Sequence, residues 1–187
     1  LIEAVLEHVP EAKNNLSILD LGTGSGCLLL SLLSEFPNAH GTGVDASEAA
    51  LEIAKQNAAA LELDNRAIFI VSDWTSKVEE KFDLVIANPP YIPSADIRHL
   101  EADVAQYEPL SALDGGRNGL DSYREILSQL PKILADDASI FLESGVGQAS
   151  AIAEMVEEIG FQYIEIKNDL AGIERCVIGK SRILPIM

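Results

Sequence analysis

The sequence predicts an α/β domain built on a seven-stranded, mostly parallel sheet in which the last strand runs antiparallel. Three observations predict it. Short apolar bursts alternate with helical stretches along nearly all 187 residues, the pattern of strands covered on both faces by helices. The final two bursts lie closer together than the dozen or so residues a parallel crossover needs, so that pair is antiparallel. Hydrophobic residues make up 48% of the chain, enough for one domain with a substantial core. There is no internal repeat and no low-complexity segment.

The elements follow in order. Residues 1–9 begin inside an amphipathic pattern, with Ile2, Val5, Leu6 and Val9 on one helical face. They carry no initiating Met and no cap, so the chain is expected to be a fragment of a longer protein. Ser17–Leu21 (SILDL) reads as a buried strand, and the glycines after it open a helix over Cys27–Glu35. Residues 41–45 (GTGVD) form a second strand, and Ser47 caps a helix to about Leu61 with Ala50, Leu51, Ala54 and Ala58 inward. Ala67–Val71 and Phe82–Ala87 are the third and fourth strands, followed by a polar stretch over 88–119 that carries Pro and Gly. A helix is expected over 121–134 with a break near Pro131, then a strand over 139–143 and a helix over 148–159. Strands over 163–167 and 175–179 close the sheet.

Charge narrows the function. The chain carries 13 Lys and Arg against 30 Asp and Glu, a formal net charge of -17. Proteins that neutralise many phosphates need a basic surface, so an extended nucleic-acid footprint is not expected. Cys27 and Cys176 lie far apart in apolar surroundings and read as small core residues in a reducing compartment. His8, His40 and His99 are scattered, so no metal site is expected. No apolar run reaches the roughly 20 residues of a membrane span and no signal-peptide pattern opens the chain. A cytoplasmic monomer without membrane contact is therefore expected.

The chemistry is concentrated where strands end. Asp20-Leu21-Gly22-Thr23-Gly24-Ser25-Gly26 follows the first strand and opens the first long helix. Glycines let the backbone turn sharply and let a ligand approach closely, and ligands of open α/β sheets lie beyond the carboxyl ends of the strands. The G-x-G-x-G spacing differs from the dinucleotide G-x-G-x-x-G and is preceded by an acid. This points to S-adenosylmethionine, whose charged amino-acid part needs hydrogen bonds but brings no pyrophosphate. Asp45 ends the second strand, where a carboxylate can accept ribose hydroxyls, and Asp73-Trp74 follows the third, suited to the adenine amino group and ring face. The expected cofactor set is Asp20, Gly22, Thr23, Gly24, Gly26, Asp45, Asp73, Trp74 and Asn88.

Asn88-Pro89-Pro90-Tyr91 follows the fourth strand at the same edge. Two prolines stiffen the loop and fix where its carbonyls point. The Asn88 side-chain oxygen and the Pro89 carbonyl can each accept one N–H of a planar NH₂ group, and Tyr91 offers a flat face for it. Methyl transfer to such a nitrogen needs alignment more than a strong base. Asn88, Pro89 and Tyr91 are thus the expected catalytic residues, with S-adenosylhomocysteine as the product of the cofactor.

These motifs resemble those of one family, the release-factor glutamine methyltransferases (the HemK/PrmC group). The likeness rests on residues 19–26 (LDLGTGSG), Ser72-Asp73-Trp74, 88–92 (NPPYI), 107–116 (YEPLSALDGG), 119–124 (GLDSYR) and 142–148 (LESGVGQ). N-P-P-Y alone is shared with methyltransferases of adenine and guanine amino groups; the YEPLSAL and GLDSYR segments are the specific ones. The resemblance implies a Rossmann-like S-adenosylmethionine-dependent methyltransferase domain over 1–187. It implies that the substrate is the glutamine of the Gly-Gly-Gln loop in class 1 peptide chain release factors, methylated at its side-chain amide. Glu108, Pro109 and Arg124 read either as supports of the loop around the pocket or as packing residues. The family's N-terminal helical domain and its R-P-x-T-E segment do not lie in these 187 residues, and residues 171–177 (AGIERCV) keep the outline of its last hairpin with different polar residues.

Two other readings compete with this one. A nucleic-acid amino-group methyltransferase would flip its base into the same pocket, against which stand the charge and the lack of a recognition domain. A non-catalytic cofactor-binding subunit is opposed by the unaltered N-P-P-Y and glycine loops. A nicotinamide-dependent dehydrogenase fits worst, because the glycine spacing is wrong.

Overall fold

A computed structural model describes residues 1–9, 15–99 and 109–181. Its centre is a seven-stranded sheet. In chain order the strands are β1 (Ser17–Leu21), β2 (His40–Asp45), β3 (Ala67–Val71), β4 (Phe82–Ala87), β5 (Leu134–Glu143), β6 (Tyr163–Asn168) and β7 (Glu174–Lys180). In space they run β3-β2-β1-β4-β5-β7-β6, with β7 antiparallel to both of its neighbours and the other pairs parallel. The chain thus runs outward from β1 in one direction and then in the other. The order reverses between β1 and β4, and in open α/β sheets ligands bind beyond the carboxyl ends of the strands at such a point.

Period-two alternation divides the core in two. Ile18, Leu84, Ile86, Phe141 and Ile178 face one cluster, together with α1 (Ile2–His8) and the Leu29, Leu30, Leu32 and Leu33 stripe of α2 (Cys27–Glu35). Their strand neighbours Leu19, Val85, Ala87, Ile140, Leu142 and Val177 face the other. That side is covered by α5 (Asp121–Gln129) through Tyr123, Ile126 and Leu127, and by α6 (Ala149–Glu158) through Ile152 and Val156. Between β2 and β3 lies α3 (Glu48–Ala60); Ser47 caps it by accepting from the Ala50 N–H at 3.2 Å, with Leu51, Ala54 and Ala58 buried and Ala50 half-buried.

Several boundaries differ from the sequence reading. The helix expected over 121–134 ends at Gln129, and the turn at Leu130–Lys132 is 3₁₀. Pro131 lacks an N–H to continue the α pattern. Leu134 then already pairs with Phe82, and an irregular stretch carries the exposed Asp136 and Asp137 before regular pairing resumes at Ser139. The polar stretch over 88–119, given no element from the sequence, holds among its described residues a 3₁₀ turn at Ile97–His99 and the short helix α4 (Leu110–Leu113). Leu6 is 39% exposed and lies off the buried face of α1, which is formed by Ala4 and Val5 and continued by Val9. Cys27 is exposed, contrary to the core role expected of it, because it starts α2 on the side turned away from the sheet. Cys176 is buried as expected, and burial pushes its thiol up to about 11.

Gly41 decides how closely α2 approaches the sheet. A Cβ there would lie 2.5 Å from Leu29 Cδ1 and 3.2 Å from Leu33 Cδ1, both on fully buried side chains. Gly41→Ala should therefore lower unfolding free energy by about 1–3 kcal/mol through overpacking, read as a fall in urea midpoint at unchanged slope. An unchanged midpoint would mean that α2 sits farther from β2 than described.

Candidate functional site

The loop between β1 and α2 is a run of backbone that only glycine adopts easily. Gly22, Gly24 and Gly26 all have positive φ, at 72°, 56° and 79°. The Gly22 and Thr23 N–H groups both donate to the Val44 carbonyl at 2.9 Å, which fastens the loop to the end of β2. The Gly24 N–H donates to Asp45 Oδ2 at 2.9 Å, while Asp45 Oδ1 accepts from the Ser47 N–H at 2.8 Å. Both Asp45 oxygens are thus held, and each keeps acceptor capacity for a further hydroxyl. A Cβ at Gly24 would meet nothing within 4 Å, so the loop is open there, whereas one at Gly22 would lie 3.6 Å from Trp74 Cζ3.

The remaining strand ends converge on this loop. Leu21 pairs with Ala87, so Asn88 leaves β4 beside the point where Gly22 leaves β1. Asp45 pairs with Val71, which places Asp73 and Trp74 next to the end of β2. Asp73 is exposed and Trp74 is half-buried in a left-handed conformation at φ 45°. Thus all the residues expected from the sequence gather at one edge of the sheet. Asn88 is exposed, Pro89 buried and Tyr91 half-buried. Burial, and then the charge of Glu143, push the Tyr91 phenol above its ordinary range.

Asp20 lies beneath the loop, 1% exposed. The Thr23 hydroxyl donates to its Oδ2 at 2.6 Å, and its Oδ1 has no hydrogen-bond partner. Burial pushes this carboxyl up to about 7; hydrogen bonds from Thr23 and the Leu29 backbone pull it down, and the Asp45 charge adds a smaller push upward.

Sequence reasoning missed the residues that hold the 88–92 loop from behind. The Gln148 amide donates to the Tyr91 carbonyl at 2.9 Å and to the Asn118 carbonyl at 3.4 Å, and its oxygen accepts from the Gly145 N–H at 3.0 Å. Tyr123, fully buried, donates its hydroxyl to the Glu143 carbonyl at 2.6 Å. Ile92 forms a parallel bridge with Asp114; its N–H donates to the Leu113 carbonyl and its carbonyl accepts from the Gly115 N–H. The polar types in GLDSYR and LESGVGQ were visible in the sequence, but their partners lie far along the chain. Arg124 is exposed, ion-paired with Asp121 at 2.6 Å and bonded to Asn118 Oδ1 at 3.2 Å, so it braces the 118–121 turn. Pro109 precedes α4 as its N-cap, and Glu108 lies outside the described residues. The 169–175 hairpin closes on itself through Asp169, which accepts from the Ala171 and Ile173 N–H groups and from Arg175. Among the described residues no group of three or more His, Cys, Asp or Glu is placed to hold a metal ion, and no helix is long and apolar enough to cross a membrane.

The Asp20 carboxyl gives stability a pH dependence of defined sign. Its folded value lies above the ordinary carboxylate value of 3.8, so between the two the folded state holds a proton that the unfolded chain has lost. Asp20 therefore destabilises progressively as pH rises from about 4 to about 7, and its cost is constant above that window. Relative to the parent, Asp20→Asn should gain stability on the order of 4 kcal/mol across this window, as measured by urea unfolding. A difference independent of pH would mean that Asp20 is ionised throughout.

Residues 3–105, more than half of the chain, match the family model described as Methyltransferase small domain. The chain is 50% identical over 165 residues to a protein of Rhodospirillum rubrum named release factor glutamine methyltransferase, covering 88% of this chain and 51% of that one. It is 41% identical over 180 residues to the protein of the same name from Caulobacter vibrioides, covering 96% of this chain and 62% of the other. The chain thus spans about half to three-fifths of the length of these curated relatives. Among solved structures, ribosomal protein L11 methylase from Lactobacillus delbrueckii subsp. bulgaricus superposes with a TM-score of 0.69 at 20% identity, over 97% of this chain and 77% of that one. That likeness places the seven-stranded sheet within the Rossmann-like methyltransferase fold. The chain belongs to the methyltransferase small domain family.

Proposed function

We propose that the chain transfers a methyl group from S-adenosylmethionine to the side-chain amide nitrogen of the Gly-Gly-Gln glutamine in peptide chain release factors. The observation that carries this reading is the register Leu21↔Ala87, which sets the Asn88-Pro89 pair beside the glycine loop at the carboxyl edge of the sheet. The names of the relatives support it, since both are release factor glutamine methyltransferases.

The residues present fit the cofactor. Gly24 leaves open space where a Cβ would stand, Asp45 offers a pinned carboxylate for the ribose hydroxyls, and the orphaned Asp20 oxygen supplies buried negative character under the loop. Gly22, Thr23, Gly24 and Gly26 would hold the amino-acid part, and Asp73 and Trp74 the adenine. When bound, the cofactor supplies an activated methyl on a positively charged sulfur. A positive ligand favours the ionised form of Asp20 and offsets part of its burial cost.

Asn88 and Pro89 act on the acceptor. Two carbonyl-type oxygens, one from the Asn88 side chain and one from the Pro89 backbone, accept the two N–H bonds of the substrate amide. This fixes the plane of the amide and turns the nitrogen toward the methyl; the S–CH₃ bond would break as the N–CH₃ bond forms, the sulfur would leave as a neutral thioether, and one of the two N–H protons would pass to solvent. Tyr91 lays its ring beside the flat group. Orientation of this kind lowers a barrier by roughly 7–11 kcal/mol at most, so no strong base is required. With a protein loop as substrate, the reading carries a cytoplasmic location and a monomeric enzyme.

Mass spectrometry of a purified release factor incubated with S-adenosylmethionine tests this directly. One added methyl on the Gly-Gly-Gln glutamine is expected. Modification of nucleic acid instead, with the release factor unmodified, would contradict it. Asn88→Ala should lower turnover by roughly 10²–10³ with cofactor affinity nearly unchanged, by analogy with the loss of one preorganised polar anchor. Normal turnover in that variant would remove Asn88 from the reaction.

A further inference from the structure

Three glycines crowd behind the 88–92 loop, and each leaves room for the same side chain or the same backbone. A Cβ at Gly119 would lie 2.2 Å from Gln148 Nε2 and 2.2 Å from the Tyr91 carbonyl oxygen. One at Gly145 would lie 2.6 Å from Gln148 Oε1 and 3.0 Å from Tyr91 Cδ2, and one at Gly115 would lie 2.8 Å from Tyr91 Cα and from the Pro90 carbonyl oxygen. Gln148 fills the space that is left. Its amide donates forward to the Tyr91 carbonyl at 2.9 Å and accepts behind from the Gly145 N–H at 3.0 Å.

We infer that Gln148 is a positioning residue: its amide couples the end of β5 and the start of α6 to the Tyr91 carbonyl and so sets where Asn88 and Pro89 stand. The inference rests on the proposed glutamine methylation. Proline rigidity carries the position of Tyr91 back to Pro89, because Pro89 and Pro90 each fix a backbone torsion in between. The three glycines tolerate no added carbon without displacing either the Gln148 amide or the loop. Gln148 lies one residue before α6, whose Ala149, Ile152 and Val156 are fully buried against the sheet. The loop is therefore referenced to the core and not to its own turn. The amide meets both demands at this reach, donating through Nε2 to the Tyr91 carbonyl and accepting through Oε1 from the Gly145 N–H.

Two substitutions separate these demands. Gln148→Met keeps the length and removes both hydrogen bonds; Gln148→Glu keeps an acceptor for Gly145 and loses the donor to Tyr91. Both are compared with the parent in release-factor methylation. Each should lower kcat by about 10²-fold, the scale expected for a displacement near 1 Å, with KM and cofactor affinity within about threefold of the parent. A second readout needs no turnover. Amide hydrogen exchange at Ile92, whose N–H donates to the Leu113 carbonyl, should accelerate about tenfold in both variants. If Gln148→Met does not fold, Gln148→Glu carries the test. A kcat within threefold of the parent, or Ile92 exchange unchanged, overturns the positioning role. Failure of the parent itself to methylate glutamine would contradict the proposed function alone, and Ile92 exchange would then decide whether Gln148 holds the loop.

Discussion

The pinning of the glycine loop to the end of β2 is the constraint on which the rest of the site depends. Two successive N–H groups, of Gly22 and Thr23, share the Val44 carbonyl, and the next, of Gly24, is taken by the Asp45 carboxylate. A backbone with three left-handed glycines has many conformations open to it when unfolded. These bonds select one of them and tie it to the neighbouring strand. They also hold Asp45, since the carboxylate that fastens the loop is the one expected to meet a ribose. The loop and the acid proposed for the ribose are thus set by a single arrangement, and α2 starts from it with Gly26 as its N-cap.

The same loop covers an energetic cost. Asp20 is enclosed with one carboxylate oxygen unpartnered, a situation that folding alone does not favour. Such a group is retained more readily where a positive ligand offsets the cost. On the other side of the switch point, the 88–92 loop is stiffened by two prolines and held from behind by Gln148 and by the Ile92 bridge to Asp114. Two loops of different chemistry, one flexible in sequence but pinned and one rigid by composition, therefore meet at adjacent strand ends. The proposed transfer uses that adjacency and asks little further of acid or base.

The architecture was legible because its signals are local. Alternating apolar bursts located all seven strands, and the short gap before β7 revealed its reversed direction. Ser47 was readable as a cap from its type and place. Where the reading failed, the deciding contacts were distant. Pairing of Leu134 with Phe82 extended β5 beyond its apolar run, and packing of one face of α2 left Cys27 outside. In the candidate site, the residues at strand ends could be located one at a time, since each follows its own strand. The shared acceptor at Val44, the unpaired oxygen of Asp20 and the bridge from Gln148 to Tyr91 could not, since each joins segments that sequence spacing does not relate.

The central claim is that the pinned loop and the Asn88-Pro89 pair together form one methyl-transfer site. A crystal structure with S-adenosylhomocysteine tests it most directly. The account predicts the ribose hydroxyls on Asp45, the adenine beside Trp74, and the sulfur facing Asn88 with the glycine loop unmoved. A cofactor product bound elsewhere, or bound with its sulfur turned away from Asn88, would contradict it.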